Sequence, residues 1–186
     1  MTRVAAGLLR AVAFLSLLSA LWLPSAASAQ ETKSAPLAKQ LVAALDAGKL
    51  DSVAAKDPSA PDTFVAALYF PGASLLVVSA KYTVPQLLDS RLGKKEYRDT
   101  YIDLNSASVP ETKVFIQDAS ADGFRAKRDD NQAADTFEQA GKTTIFDGDW
   151  KKQKLSEQDY MKAFNAADDR YSSILSALLA QLKKTS

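Results

Sequence analysis

The sequence predicts an α+β fold: a small, mainly antiparallel sheet or partial barrel that carries helices, with a long amphipathic helix at the C-terminus. Three observations predict it. The stretch FVAALYFPGASLLVVSA, Phe64–Ala80, contains no charged residue and is broken at its middle by Pro71-Gly72. A second pair of strand-like arms flanks Ala140-Gly141. Near the C-terminus, apolar residues recur at three- and four-residue steps from Tyr160 to Leu182, the period of one helix face.

The 186 residues are 47% hydrophobic and 24% charged, a balance that suits a globular domain rather than a disordered or fibrous chain. Met1–Ala29 reads as a secretory signal. Arg3 and Arg10 precede the apolar run AVAFLSLLSALWL, and Ala27-Ser28-Ala29 offers small residues for cleavage before Gln30. The mature chain is then periplasmic or secreted, without a membrane span. Removing the signal takes two of the 23 basic residues and none of the 22 acidic ones, which leaves a net charge of −1. Such a chain has no electrostatic preference for nucleic acid or anionic lipid. There is no cysteine and no histidine. That removes thiol catalysis, the Ser-His-Asp triad and the usual zinc and copper sites. Any proton-transfer chemistry falls to Asp, Glu, Lys or Tyr.

Residues 30–36 form a polar leader, 37–155 the α+β core, and 156–186 the long helix packed on it. Within the core, Pro36 opens a helix that Gly48 closes, with Leu37, Leu41, Val42 and Leu45 on one face. A short strand follows near Leu50–Ala55, and Asp57-Pro58 and Ala60-Pro61 force an extended loop. A helix through Phe64–Ala80 would carry proline and glycine at its centre, costing about 3 and about 1 kcal/mol. The two halves are each of strand length and join at a turn pair, so the stretch reads as a β-hairpin. Neither half alternates polar with apolar, so both faces are expected to be covered. YTVPQLLDSRLG predicts a short helix, and TYIDLNSAS and ETKVFIQ predict strands. FRAKR reads as a return arm after the Asp122-Gly123 turn. TFEQAGKTTIFDGDW predicts arms at Thr136–Gln139 and Lys142–Phe146. Ser156 opens the last helix with S-E-Q-D, a capping-box pattern, and Glu157–Lys184 would run about 40 Å. Part of that apolar stripe is free either to pack on the sheet or to meet a second chain.

Three groups carry chemical interest. DASADGFRAKRD places Asp118, Ser120, Asp122, Gly123 and Asp129 at calcium-loop positions, against a plain turn rich in Asp, Ser and Gly. Arg91, Lys94, Lys95 and Arg98 form a basic set suited to a phosphate or to a solvated surface. Asp168 and Asp169 point about 100° apart on a helix, so they do not converge, and Asp168 is expected at the solvent edge of the stripe. Trp150 reads as an anchor for the long helix.

The order of elements, carried by LAKQLVAALDAGKLDSVAAK, TFVAALYFPGASLLVVS and VPQLLDSRLGKKEYRD, resembles the flavin-binding split barrels of the pyridoxamine-phosphate-oxidase type. The resemblance implies a split-barrel-like core of six strands, commonly dimeric, with Arg91, Lys95 and Arg98 near a flavin phosphate. It rests on layout, and fold-level likeness does not establish function. The residues themselves assign no catalytic or cofactor-binding group, no metal ligand and no cofactor. The leading expectation is a non-enzymatic envelope or extracellular module that binds an unknown protein or self-associates through its C-terminal helix. A flavin-dependent oxidoreductase and a calcium-binding exported module are the alternatives.

Overall fold

The computed structural model describes residues 32–81, 112–129 and 131–185. Helix α1 (Ser34–Gly48) is followed by strands β1 (Ser52–Lys56), β2 (Thr63–Phe70), β3 (Ser74–Lys81), β4 (Thr112–Ala119), β5 (Asp135–Gln139) and β6 (Lys142–Phe146). Helix α2 (Glu157–Thr185) closes the chain. The six strands lie in chain order, each antiparallel to the next. Their arrangement is an open sheet, with β1 and β6 at its edges. The short helix expected over YTVPQLLDSRLG, the strand over TYIDLNSAS, and Arg91, Lys94, Lys95 and Arg98 lie outside the described residues.

The uncharged stretch is the predicted hairpin. Phe70 pairs with Ser74 across Pro71-Gly72-Ala73, and Ala73 N–H donates to the Phe70 carbonyl at 2.9 Å. Gly72 has φ +71°, the left-handed value that the third position of a type II turn requires after proline. Because successive side chains point to opposite faces, one face of β2 presents Val65, Ala67 and Tyr69, and the other Ala66 and Leu68. All five are buried, as the lack of alternation predicted.

The first face meets the two helices. Ala38, Leu41 and Leu45 of α1 pack with Val53, Val65, Ala67, Leu75, Val77, Val114 and Ile116 of the sheet. Tyr160, Phe164, Ala167, Tyr171, Ile174, Leu175 and Leu178 of α2 complete that core. Most of the α2 stripe is therefore packed within its own chain, while Met161 stays 39% exposed. Phe124, Phe146, Phe164, Tyr160 and Tyr171 make a ring cluster with centroid separations of 4.8–5.8 Å, the range of tilted and edge-to-face pairs. Trp150 packs against the same core. On the opposite face Ala54, Ala66 and Leu68 form a smaller cluster flanked by Phe64, Phe70 and Leu76.

Two local readings differ from the sequence expectation. FRAKR is not a strand, because its backbone donors are taken by side chains. Phe124 N–H donates to Ser34 Oγ at 2.9 Å and Arg125 N–H to Asp135 Oδ2 at 2.7 Å. Helix α1 starts at Ser34, inside the expected leader, because Asp168 of α2 receives the first amides of the helix. Lys33 N–H donates to Oδ2 at 2.9 Å and Ser34 N–H to Oδ1 at 3.0 Å. Asp168 is 6% exposed, so its expected place at the solvent edge is corrected. A helix N-terminus has amides without intrahelical partners, and here another helix supplies the acceptor.

Candidate functional site

Apart from Asp168 at the α1–α2 junction, the buried carboxylates of the described residues gather at two places on the helix-facing side of the sheet. The first lies where β4 leaves the sheet and β5 enters it. Asp118, near the end of β4, and Asp135, the first residue of β5, face the same side, because Ile116 pairs with Phe137 two positions earlier. Asp118 is wholly buried and Asp135 is 6% exposed. The loop between them folds back over both. Asp118 accepts from Asp122 N–H at 3.2 Å and from Gly123 N–H at 2.9 Å. Asp135 accepts from Ala119 N–H at 2.8 Å and from Arg125 N–H at 2.7 Å. Tyr171 of α2 donates its hydroxyl to Asp118 Oδ2 at 2.8 Å.

Burial raises both carboxyls, since loss of water disfavours the charged form. Asp118 is raised to about 6, with the Tyr171 hydroxyl and the Gly123 amide pulling the other way. Asp135 is raised to about 7, by burial first and then by the charge of Asp118. Burial, followed by the charge of Asp118, drives the Tyr171 phenol well above its ordinary value. The two carboxyls therefore titrate as a coupled pair.

Gly123 lets the loop close. Its φ is +95°, and a Cβ there would meet the Ala35 Cα at 2.4 Å, so the loop backbone lies directly on the first turn of α1. Outside the clasp, Arg125 pairs with Asp122 and, at 3.0 Å, with Asp129. It also donates to Gln132 at 2.8 Å. Asp135 itself, with Ser120, Asp122, Arg125, Arg128 and Gln132, lines a small hollow at the surface of the clasp.

The calcium-loop reading placed Asp118, Asp122 and Asp129 around an ion. Here Asp118 points inward to Tyr171 and to amides, and Asp122 and Asp129 flank an arginine. Among the described residues no group of three or more acidic side chains is arranged to hold a metal. The sequence did show an oxygen-rich turn. It did not show Asp135 or Tyr171 as partners of Asp118, because Tyr171 is 53 residues away and reads as one more member of the α2 stripe.

The second place lies at the β1–β3 end. Asp57, just past β1, is 4% exposed. It accepts from Ser59 N–H and Ser59 Oγ, both at 2.8 Å, and from Ser79 Oγ on β3. Arg170 of α2 closes the network as an ion pair. Burial alone would raise this carboxyl, but the Arg170, Ser79 and Ser59 donors outweigh it and hold it at about 2. The Nη1 of Arg170 is buried without a hydrogen-bond partner. No sequence signal singled out Asp57 or Arg170, which lie 113 positions apart.

Fold and site together define, among the described residues, an α+β domain with an open antiparallel sheet, helices α1 and α2 on one face, and interior carboxylates that hold loops and helices to it. No protein-family model, curated protein or solved structure matches the chain.

Proposed function

We propose that this chain is an exported, non-enzymatic module that binds a protein partner or assembles with itself outside the cytoplasmic membrane. One observation carries the reading. All four oxygens of Asp118 and Asp135, the two carboxylates with the most raised titration, accept hydrogen bonds from the chain's own donors. A general acid or base must reach a substrate proton within hydrogen-bond distance. These groups reach amides and a tyrosine instead; Asp118 is wholly buried, and Asp135, 6% exposed at the edge of the hollow, has both oxygens on backbone amides. Asp57 is likewise taken up by Arg170, Ser79 and Ser59. The chemistry of the interior is that of a scaffold. No helix among the described residues is long and apolar enough to cross a membrane, and Met1–Ala29 supplies the address.

Native mass spectrometry of the exported protein tests the reading. The expected result is a chain beginning at Gln30, without a retained small molecule, and its captured partner or second copy at integral mass. A flavin retained on the chain overturns it in favour of the oxidoreductase alternative. The calcium alternative is read separately: melting temperature is expected to stay the same between excess chelator and millimolar calcium.

A further inference from the structure

The two carboxylates of the clasp stand against each other. Gln117 pairs with Thr136, so the next position of the ladder sets Asp118 of β4 opposite Asp135 of β5. Like charges directly opposite on neighbouring strands are destabilising, and more so where burial leaves little water to screen them. Among the described residues no lysine or arginine forms an ion pair with either carboxylate. Asp57, also buried, has Arg170 for that purpose. The donors on Asp118 and Asp135 are all neutral: the amides of Ala119, Asp122, Gly123 and Arg125, and the Tyr171 hydroxyl.

The surrounding elements do not supply the missing cation. In the loop, Arg125 turns its guanidinium outward to Asp122 and Asp129, and Arg128 is exposed at the hollow. From α2, Tyr171 and Tyr160 act on the pair, Asp147 beyond β6 adds negative charge near Tyr160, and Asp168 is taken by the first amides of α1. Helix α1 turns Ser34 and Ala35 to the loop, while its Lys39 and Asp46 are exposed. One movement relieves the pair. Lifting Ser120–Arg125 removes three of the five donors and lets water reach both carboxylates. The same movement takes Phe124 N–H off Ser34 Oγ and the Gly123 backbone off Ala35. It also brings out Ala121 and Phe124, which are 7% and 1% exposed while the loop is down.

We propose that Asp118 and Asp135 form a pH-sensitive latch: with a proton on the pair the loop Ser120–Arg125 stays down, and with both carboxylates charged it lifts off the first turn of α1. The closed loop binds more protons than the open one, so rising pH favours opening. The raised titration of both groups, caused first by burial, agrees with that direction. The latch goes beyond the reading of the chain as a binding module. Whatever the partner, Ala121 and Phe124 are withdrawn in acid and offered to solvent more often as the pH rises.

Hydrogen exchange on the exported chain from pH 5 to pH 8, expressed as protection once the intrinsic pH dependence of exchange is removed, tests it. Protection of the Phe124 and Arg125 amides is expected to fall at least about tenfold over that range, since each proton released on opening shifts the equilibrium by up to about tenfold per pH unit. The fall is expected to be independent of urea well below the unfolding transition, the mark of a local opening. The Val77 and Ile116 amides at the sheet centre are expected to exchange only through urea-dependent global unfolding. Asp135→Asn leaves Asp118 as the one titrating member, so its loop is expected to lose about half of the pH dependence whatever its absolute protection. Asp118→Asn/Asp135→Asn is expected to lose all of it. Loop protection that stays flat or rises from pH 5 to pH 8 overturns the latch. So does loop exchange that follows urea in step with Val77 and Ile116, or an Asp135→Asn chain that keeps the full wild-type dependence.

Discussion

Two residues carry more of the interior than their type suggests. Arg170 is the counter-ion of Asp57, whose side chain is fully buried. Replacing Arg170 by methionine keeps much of the volume but leaves a buried carboxylate unpaired. Breaking one side of a buried pair costs about 3–5 kcal/mol. Urea unfolding of Arg170→Met is expected to show a loss of that size, and Asp57→Asn in the same chain to restore most of it, because the uncompensated charge goes with it. Gly123 is the second residue. Alanine there has to adopt a strained left-handed backbone and push its Cβ into Ala35. Strain of that kind alone costs about 1–3 kcal/mol. The expected result for Gly123→Ala is a loss above that range, with faster exchange of the Phe124 and Arg125 amides. Gly123 was visible in the sequence as a turn glycine. Its reason, the first turn of α1 lying against it, was not, because that contact joins positions nearly ninety residues apart. Asp118 shows the same limit: the turn chemistry around it was legible, while its inward direction depends on Tyr171 and on an amide row that no spacing reveals.

At the level of elements, local signals placed the strands and helices with purely local causes. Pro71-Gly72 and Ala140-Gly141 marked their hairpins because turn geometry depends on a few adjacent residues. The arm Lys142–Phe146 was found as predicted. The α2 helix was announced by its apolar period and by Ser156, whose Oγ accepts from Asp159 N–H at 3.0 Å. What failed were the elements decided across the chain. FRAKR alternates like a strand, yet Ser34 and Asp135 take its amides. Helix α1 begins two residues before Pro36 because Asp168 waits on a neighbouring helix to receive Lys33 and Ser34. That junction is testable. Loss of a helix cap costs about 0.5–2 kcal/mol, so Asp168→Ala is expected to lower stability by about that amount. Exchange of amides in the first turn of α1 is expected to quicken, and those in the middle of α2 to stay protected. Equal quickening along both helices would show that Asp168 supports α2 itself rather than capping α1.

Across the whole molecule, the buried charges set an unusual dependence of stability on pH. Asp118 and Asp135 have native values of about 6 and about 7, against an ordinary 3.8. Between these limits the native state keeps protons that the unfolded chain has released, so unfolding releases protons and rising pH favours it. Their neutral forms contribute stability that is fully present below pH 3.8 and is lost as pH climbs through 6 and 7. Asp57 acts in the opposite sense. Held at about 2, it contributes stability above pH 3.8 that disappears as pH falls toward 2. The two effects cross just below 3.8, so stability is greatest at about pH 3–4, more acidic than the broad optimum near neutrality that paired surface carboxylates give. Each proton released on unfolding contributes a slope of about 1.4 kcal/mol per pH unit, so the loss between pH 5 and pH 8 is expected to reach several kcal/mol. Urea unfolding at pH 3, 5 and 8 measures it directly, with an unchanged denaturant slope showing that the native and unfolded states stay the same. Asp135→Asn cannot ionise, while Asp118, raised to about 6 by burial, still titrates. That variant is therefore expected to make the limb above pH 5 shallower and to end it at about pH 6 rather than 7, while leaving the acid limb of Asp57 in place. A wild-type curve that rises from pH 5 to pH 8 would mean that the amides around the clasp outweigh burial and hold both carboxylates charged.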